Sequence, residues 1–465
     1  MKKTGATPGI SPLMRTLAAY IAGARNKPLP KAVTEKTKHH LLDTIAAMVS
    51  GSRLVPGKMA LAYVQTLGGH KEATVVGSRF VTNAVNAALA NGMQAHADET
   101  DDSHAGSLMH PGCGIVSASL AMAEREQRDG TALLRAVALG YDIAARLNLS
   151  LGGNKFSNLG HMTHCFGPTF GAAAAGSSLA HLSADQVRHA LSYTAQQVCG
   201  LSSYARDLEH IEKAFDFGGM AARNGVTSAT MVAAGCTGVE DVFSGERNFY
   251  MAYDESLRHG LKPKPEILVR DLGKTYEIVN TNIKRWSVGS PIQAPLDSLL
   301  ALIRAENIKA TDVKELVVTV YTQGARITNN RDMSDINMQH MCALMLVDGY
   351  ASFEATHDMS RMKDPRVLAL RKRIRLIGDE KLEELRPEKH GIIDITLNNG
   401  RKLHHHTKAV LGTSQNPMLR AEVDEKCYDL MAPVLGKKRA RTLCDAVWSI
   451  EKVKNARRLR PLLQA

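Results

Sequence analysis

Apolar residues in the first 260 positions recur at helical spacing, and almost nothing there alternates as a strand does. Ser11-Pro12 reads as an N-cap with a first-turn proline, followed by Leu13, Leu17 and Ile21 on one face. Residues 34–50 place Leu41, Leu42, Ile45 and Val49 at the same period. Further helices are predicted over 83–97, 111–125 and 131–147. Another, over 167–182, is so rich in Ala and Gly that its neighbours can approach closely. The texture changes after about residue 260, where Lys262-Pro263-Lys264-Pro265 reads as a linker. Residues 315–321 are β-branched enough for a strand, and 392–397 with 402–410 read as a hairpin whose turn ends in Asn399-Gly400. Helical patterns lie at 294–306 and 336–350, and the tail from 418 to 452 returns to helix. The predicted fold is mainly α. A large all-helical domain is built from both chain ends, 1–262 and 411–465, and a smaller α+β domain covers 263–410.

Composition narrows the function classes. With 44% hydrophobic and 22% charged residues, disorder is not the default, and 5% aromatics with abundant Ala and Gly suit packed helices better than a β-sandwich. The net charge of +12 is spread along the chain apart from short runs such as Arg371-Lys372-Arg373. No recognition motif accompanies it, so no nucleic-acid partner is expected, and a field that gathers anionic metabolites accounts for the charge. None of the seven cysteines forms a C-x-x-C pair, which argues against a disulfide framework and a cysteine-ligated metal. The N-terminal MKKTGATPGISP lacks the apolar stretch of a signal peptide, and no apolar run is long enough to span a bilayer. A cytoplasmic protein without a membrane partner is expected. Dinucleotide, P-loop, serine-hydrolase and kinase signatures are all missing from the sequence. The run His404-His405-His406 falls on a predicted strand and reads as a surface feature.

Three segments hold more polar groups than packing needs. The first runs from His96 through Asp98, Glu99, Asp101, Asp102 and Ser103 to His104 and is closed by His110-Pro111. It reads either as a solvated, helix-capping loop or as a cluster of titratable groups at a site. The second, Gly160 to Pro168, puts His161 at a glycine-flanked junction, where a histidine reaches a cleft or bonds a carbonyl. The third contains Tyr204 and Lys213 ahead of Gly218, Gly219 and Gly225. A lysine in such close packing snorkels to water or meets an anionic ligand.

Taken in order, these segments resemble the MmgE/PrpD family, which includes 2-methylcitrate dehydratase, cis-aconitate decarboxylase and iminodisuccinate epimerase. The carriers are His96 to His104, similar to the family's H-A-x-[DE]-x-D-D-[TS]-H; Asp129 to Leu134 with Gly140 to Asp142; Gly160 to Gly171; Lys213 to Gly225; and Asn416 to Met418. The resemblance implies a helical domain with an α+β lid, a homodimer, and chemistry with no metal or organic cofactor. It assigns catalytic positions to His110, His161 and Lys213, and to Glu99 where many relatives carry aspartate. Asp102, Ser103, His104, Tyr204 and His340 are the candidates for substrate binding. Two segments depart from the family: Ile336 to His340 lacks a tyrosine common in relatives, and Ser290 to Pro295 lacks the usual Cys and His.

The implied function is a cofactor-independent lyase acting on the carbon next to a carboxylate of a small di- or tricarboxylic acid, with 2-methylcitrate-type dehydration leading. Epimerisation, isomerisation or decarboxylation of a related polycarboxylate is the runner-up. A non-catalytic carboxylate-binding or scaffold protein is the alternative of another class. Withdrawing a proton beside a carboxylate builds charge on a group already negative, so the site must supply positioned cations and donors. Here His161 would move the proton, Lys213 would bind the carboxylate or move the proton, and His110 would serve the carboxylate or leaving group.

Overall fold

The computed structural model describes residues 9–386 and 388–465. Most of the basic N-terminal stretch considered for a leader lies outside them. The chain is mainly helical with small sheets, as the hydrophobic pattern predicts. It divides into two units: the described residues up to Ala97 with Asp102–Thr281 and Arg420–Ala465, and Asp98–Asp101 with Asn282–Leu419. No helix among the described residues is long and apolar enough to cross a membrane.

The first unit is built by capped helices. Ser11 accepts from the Met14 N–H ahead of Pro12–Gly23, Asn83 from Asn86 ahead of Ala84–Ala95, and Asp129 from Ala132 ahead of Gly130–Leu151. Each cap satisfies an N–H that the first turn leaves without a partner. At the centre lies Thr163–Leu179, every residue of it buried. It starts four residues before the predicted boundary, so His164 stands on the helix, and Pro168 removes only the bond to the His164 carbonyl. Small residues let its neighbours close in: a Cβ on Gly171 would run into the Gly140 carbonyl oxygen of Gly130–Leu151. Helix Met220–Ala233 is preceded by Ile211–Ala214 and a π turn, Phe215–Gly219. That turn sits against Ala84–Ala95 so tightly that Gly92 and Gly218 each occupy the space of the other's Cβ.

Residues 265–281 belong to this unit through Arg146. Its guanidinium bonds Asp142 at 2.9 Å, the Thr275 hydroxyl at 2.9 Å and the Arg270 carbonyl. A two-residue ladder, β1 (Ala73–Thr74) with β2 (Val81–Thr82), is the sheet of this half. The predicted tail helix is two helices, Arg420–Leu435 and Lys437–Trp448, split at Gly436, whose φ of 81° a glycine adopts without strain.

The second unit is a four-stranded sheet packed on helices Gln293–Glu306 and Met338–Asp348. Its strands are β3 (Val313–Tyr321), β4 (Ile374–Asp379), β5 (Gly391–Leu397) and β6 (Lys402–Thr407), in the order β4-β3-β5-β6. β3 runs parallel to β4 and antiparallel to β5, and β5–β6 is the predicted hairpin. The sequence reading lacks β4. Of its six residues only Ile374 is buried, so this edge strand shows no alternation to read.

Because the Gly92–Gly218 crossing leaves no room for a methyl group, Gly218→Ala is expected to cost about 1–3 kcal/mol, as overpacking does. Urea denaturation checks this; an unchanged midpoint would show that the turn relaxes freely.

Candidate active site

In the first unit the π turn holds Phe217 at the middle of a set of rings. His164 stacks on it at 3.9 Å and His96 at 4.5 Å, with interplanar angles of 12° and 15°. Tyr204 meets it edge-on at 4.7 Å and His110 is tilted to it at 5.5 Å. His110 lies 4.8 Å from His96 and 5.3 Å from His164, and His210 lies 5.1 Å from His96. All four histidines are buried. The Lys213 ammonium stands 5.3 Å from the centre of the Phe217 ring, a cation over a π face. The lysine backbone is fixed by its N–H to Asp207 at 2.9 Å.

Local sequence explains these placements. His110 is the N-cap residue of Pro111–Arg125, so its ring projects from the end of a buried helix. His164 follows one residue after the start of Thr163–Leu179. His210 has a φ of 61°, a left-handed conformation uncommon outside glycine that turns the chain into Ile211–Ala214. Asp216, on the π turn, has its carboxyl pushed up to about 7 by burial and by the charges of Glu212 and Asp207.

The loop from 102 to 110 is braced within the same unit. Asp102 Oδ2 accepts from His40 Nδ1 at 2.6 Å and from the Tyr141 hydroxyl at 2.7 Å, and Oδ1 accepts from the Gly112 N–H at 2.9 Å. His104 Nδ1 accepts from the Ser107 N–H at 3.1 Å, and its Nε2 faces Glu277 at 3.3 Å. That contact, outweighing burial, holds Glu277 down at about 2. Asp102 and His104 thus have their polar atoms engaged by protein partners. Ser103, between them, is buried.

His161 stands apart from the ring cluster. It stacks on Phe156 at 4.1 Å, lies edge-on to Tyr253 at 5.9 Å and faces Glu255 at 3.3 Å. The structure thus brings together His110, Tyr204 and Lys213 from the sequence candidates and adds His96, His164 and His210. His164 lay within a segment already singled out; its selection over His161 depends on where the helix begins.

The second unit gathers charge around residues 98–101. Lys284 donates to the Glu99 carbonyl at 2.9 Å and to Glu99 Oε2 at 3.0 Å, and lies 3.8 Å from Asp101. Burial pulls this lysine down, but the two carboxylates outweigh it and hold Lys284 above its ordinary value. Asp98 faces His357 Nε2 at 2.7 Å and accepts from the Thr100 hydroxyl at 2.6 Å. Against the pull of burial, Asp98 and Asp335 raise His357 to about 9. Neither Lys284 nor His357 carries a local sequence signal. His340 is buried in Met338–Asp348, and burial with Arg371 and Arg361 lowers it to about 4. Its ring nitrogens make no hydrogen bond among the described residues. The run His404 to His406 lies on the edge strand β6, with His404 exposed and 2.7 Å from Asp394.

Comparison with known proteins identifies both halves. The MmgE/PrpD N-terminal domain matches residues 15–259, and the MmgE/PrpD C-terminal domain matches residues 286–452. The chain is 26% identical over 301 residues to the cis-aconitate decarboxylase-like protein oryM of Aspergillus oryzae, covering 62% of this chain and 61% of that protein. The match therefore spans about three fifths of the fungal relative. It is 22% identical over 474 residues to cis-aconitate decarboxylase of Homo sapiens, covering 97% of this chain and 94% of that one.

The Asp98–His357 pair predicts a pH signature. His357 has its folded value raised from 6.5 to about 9, so its contribution to stability is full below 6.5 and is lost as pH rises through 9. Denaturation midpoints across that window should fall more steeply for the wild type than for His357→Gln; parallel curves would refute the pairing.

Proposed function

We propose, from the premise that the chain belongs to the MmgE/PrpD family, that it is a lyase acting on a small di- or tricarboxylic acid at the carbon beside a carboxylate. One observation carries the reading: buried histidines and the Lys213 ammonium gather around the single ring of Phe217. Such a group supplies what the chemistry needs, a cation for the developing charge and imidazoles for proton transfer. Lys213 takes a substrate carboxylate, and His110 and His164 hold and move the proton. His96 and Tyr204 fix the rings that do so.

Decarboxylation of a cis-aconitate-type acid is the first reaction we assign, because both relatives carry that name. In that step the bond to one carboxylate breaks and carbon dioxide leaves. The electron pair stays on carbon, spread toward the neighbouring conjugated system, until an imidazolium protonates it. Dehydration of a 2-methylcitrate-type acid is the second reading, favoured by Asp216. A carboxyl that titrates at about 7 can protonate a leaving hydroxyl near neutral pH. The protein would work as a homodimer. The exposed apolar row Val55, Met59, Tyr63 and Leu67 on Val55–Leu67 is the surface such association would cover.

The test is proton NMR of the purified protein in deuterated water with cis-aconitate, 2-methylcitrate, citrate and hydroxy-dicarboxylates. Deuterium beside a carboxylate, with loss of carbon dioxide or water, is the expected result. Lys213→Ala and His164→Ala should each lose more than about a hundredfold in turnover. Full activity in Lys213→Ala would overturn the assignment. Asp216→Asn is expected to abolish any rate limb near pH 7, and an unmoved limb would remove Asp216 from the proton path.

A further inference from the structure

The loop between His104 and Met109 has little backbone pairing of its own. His104 and Met109 form an isolated antiparallel bridge, and the Leu108 N–H donates to the Ala105 carbonyl at 3.3 Å. Leu108 has a φ of 48°, a left-handed conformation that a bulky residue holds only where its surroundings enforce it. This strained loop leads directly into His110.

Donors from outside the loop supply the constraint. The Thr163 hydroxyl donates to the Leu108 carbonyl at 2.6 Å. Asn148 Nδ2 donates to the Ser107 carbonyl at 3.2 Å and to the Thr163 carbonyl at 2.8 Å, and Asn154 Nδ2 reaches the Ala105 carbonyl at 3.4 Å. Ser107, Asn148 and Thr163 are buried, where a carbonyl left without a donor is costly. Gly167 keeps room for the amide, since a Cβ there would lie 2.9 Å from Asn148 Nδ2. Both bridges end at the first residue of Thr163–Leu179, whose second residue is His164. One runs from Leu108, two residues before His110, to the Thr163 side chain. The other runs from Ser107 through Asn148 to the Thr163 backbone. They tie together two stretches of chain whose imidazoles, His110 and His164, lie 5.3 Å apart.

We infer that Thr163 is a positioning residue, which with Asn148 clamps the 105–108 loop to the start of that helix and so sets the separation of His110 and His164. The inference rests on the lyase reading above and deepens it, since proton transfer by either imidazole depends on where its ring stands. Thr163 does not touch the substrate in this role; it acts through the two histidines.

The experiment compares the full-length wild type with Thr163→Val, Thr163→Ser and Thr194→Val. Valine keeps the shape of threonine without its hydroxyl, and serine keeps the hydroxyl. Thr194 is the control, a buried threonine whose hydroxyl donates at 2.7 Å to the Ala190 carbonyl within Ala184–Ala195. Steady-state kinetics are measured on whichever acid named above the wild type turns over, with urea midpoints alongside. Thr163→Val is expected to lower kcat by about ten- to a hundredfold, the range for a misplacement near 1 Å, with KM nearly unchanged. Thr163→Ser should return kcat to the wild-type level, and Thr194→Val should lower the urea midpoint without changing kcat. Wild-type kcat in a folded Thr163→Val, or a fall that serine does not restore, would overturn the inference while leaving the lyase intact. If Thr163→Val does not fold, the serine variant decides: wild-type kcat supports the clamp, and a lower kcat overturns it. A wild type inactive toward every one of these acids removes the lyase reading, and this inference with it.

Discussion

The Asp102 carboxylate, buried and receiving three hydrogen bonds, is the constraint on which the first unit's site depends. A buried carboxylate without donors is costly, so His40, Tyr141 and the Gly112 N–H must all be in place when it is. These donors come from three helices, and Gly112 lies one residue after Pro111, the first residue of Pro111–Arg125. The bond therefore fixes the end of that helix and with it the capping residue His110. Burial lowers His40 to about 4, against the pull of Asp102, so the imidazole stays neutral and serves as a donor. Gly112 cannot be replaced cheaply, because a Cβ there would stand 2.8 Å from both Asp102 Oδ1 and the Tyr141 hydroxyl.

Small residues do for the rings what Asp102 does for the loop. The Gly92–Gly218 contact draws the π turn against Ala84–Ala95, and Phe217 is the residue immediately before Gly218. A π turn inserts an extra residue into a helical path and is often found at functional sites. Here it lets Phe217 receive His164 on a stacked face and Tyr204 on its edge. The low aromatic content of the chain is consistent with this economy: the nine phenylalanines include one that organises a site.

How much of this was legible in the sequence follows from the range of each interaction. Helix existence was legible because caps and period-3.6 patterns are local; Ser11, Asn83 and Asp129 each bond an N–H three residues on. The family was legible because the segments from His96 to Gly225 keep their order. Lys284 was not, since its partner Glu99 lies 185 residues away and it is one of 58 lysines and arginines. His164 was hidden by the alanine-rich run after it, which pulled the expected helix start to 167. Asp216 reads locally as an ordinary acidic residue, and only burial beside Glu212 and Asp207 changes its chemistry.

The buried ion pairs of the second unit are poor stabilisers for what they cost. Removing ions from water costs as much as their attraction returns, and apolar residues of like volume do as well or better. Their value lies in holding charge fixed. Asp98 keeps His357 protonated to about pH 9, and Glu99 with Asp101 keeps Lys284 charged above its usual range. In the first unit the Asp216 carboxyl, pushed up to about 7 by burial and by Glu212 and Asp207, becomes negative as pH rises through neutrality, a change that opposes an anionic ligand near it.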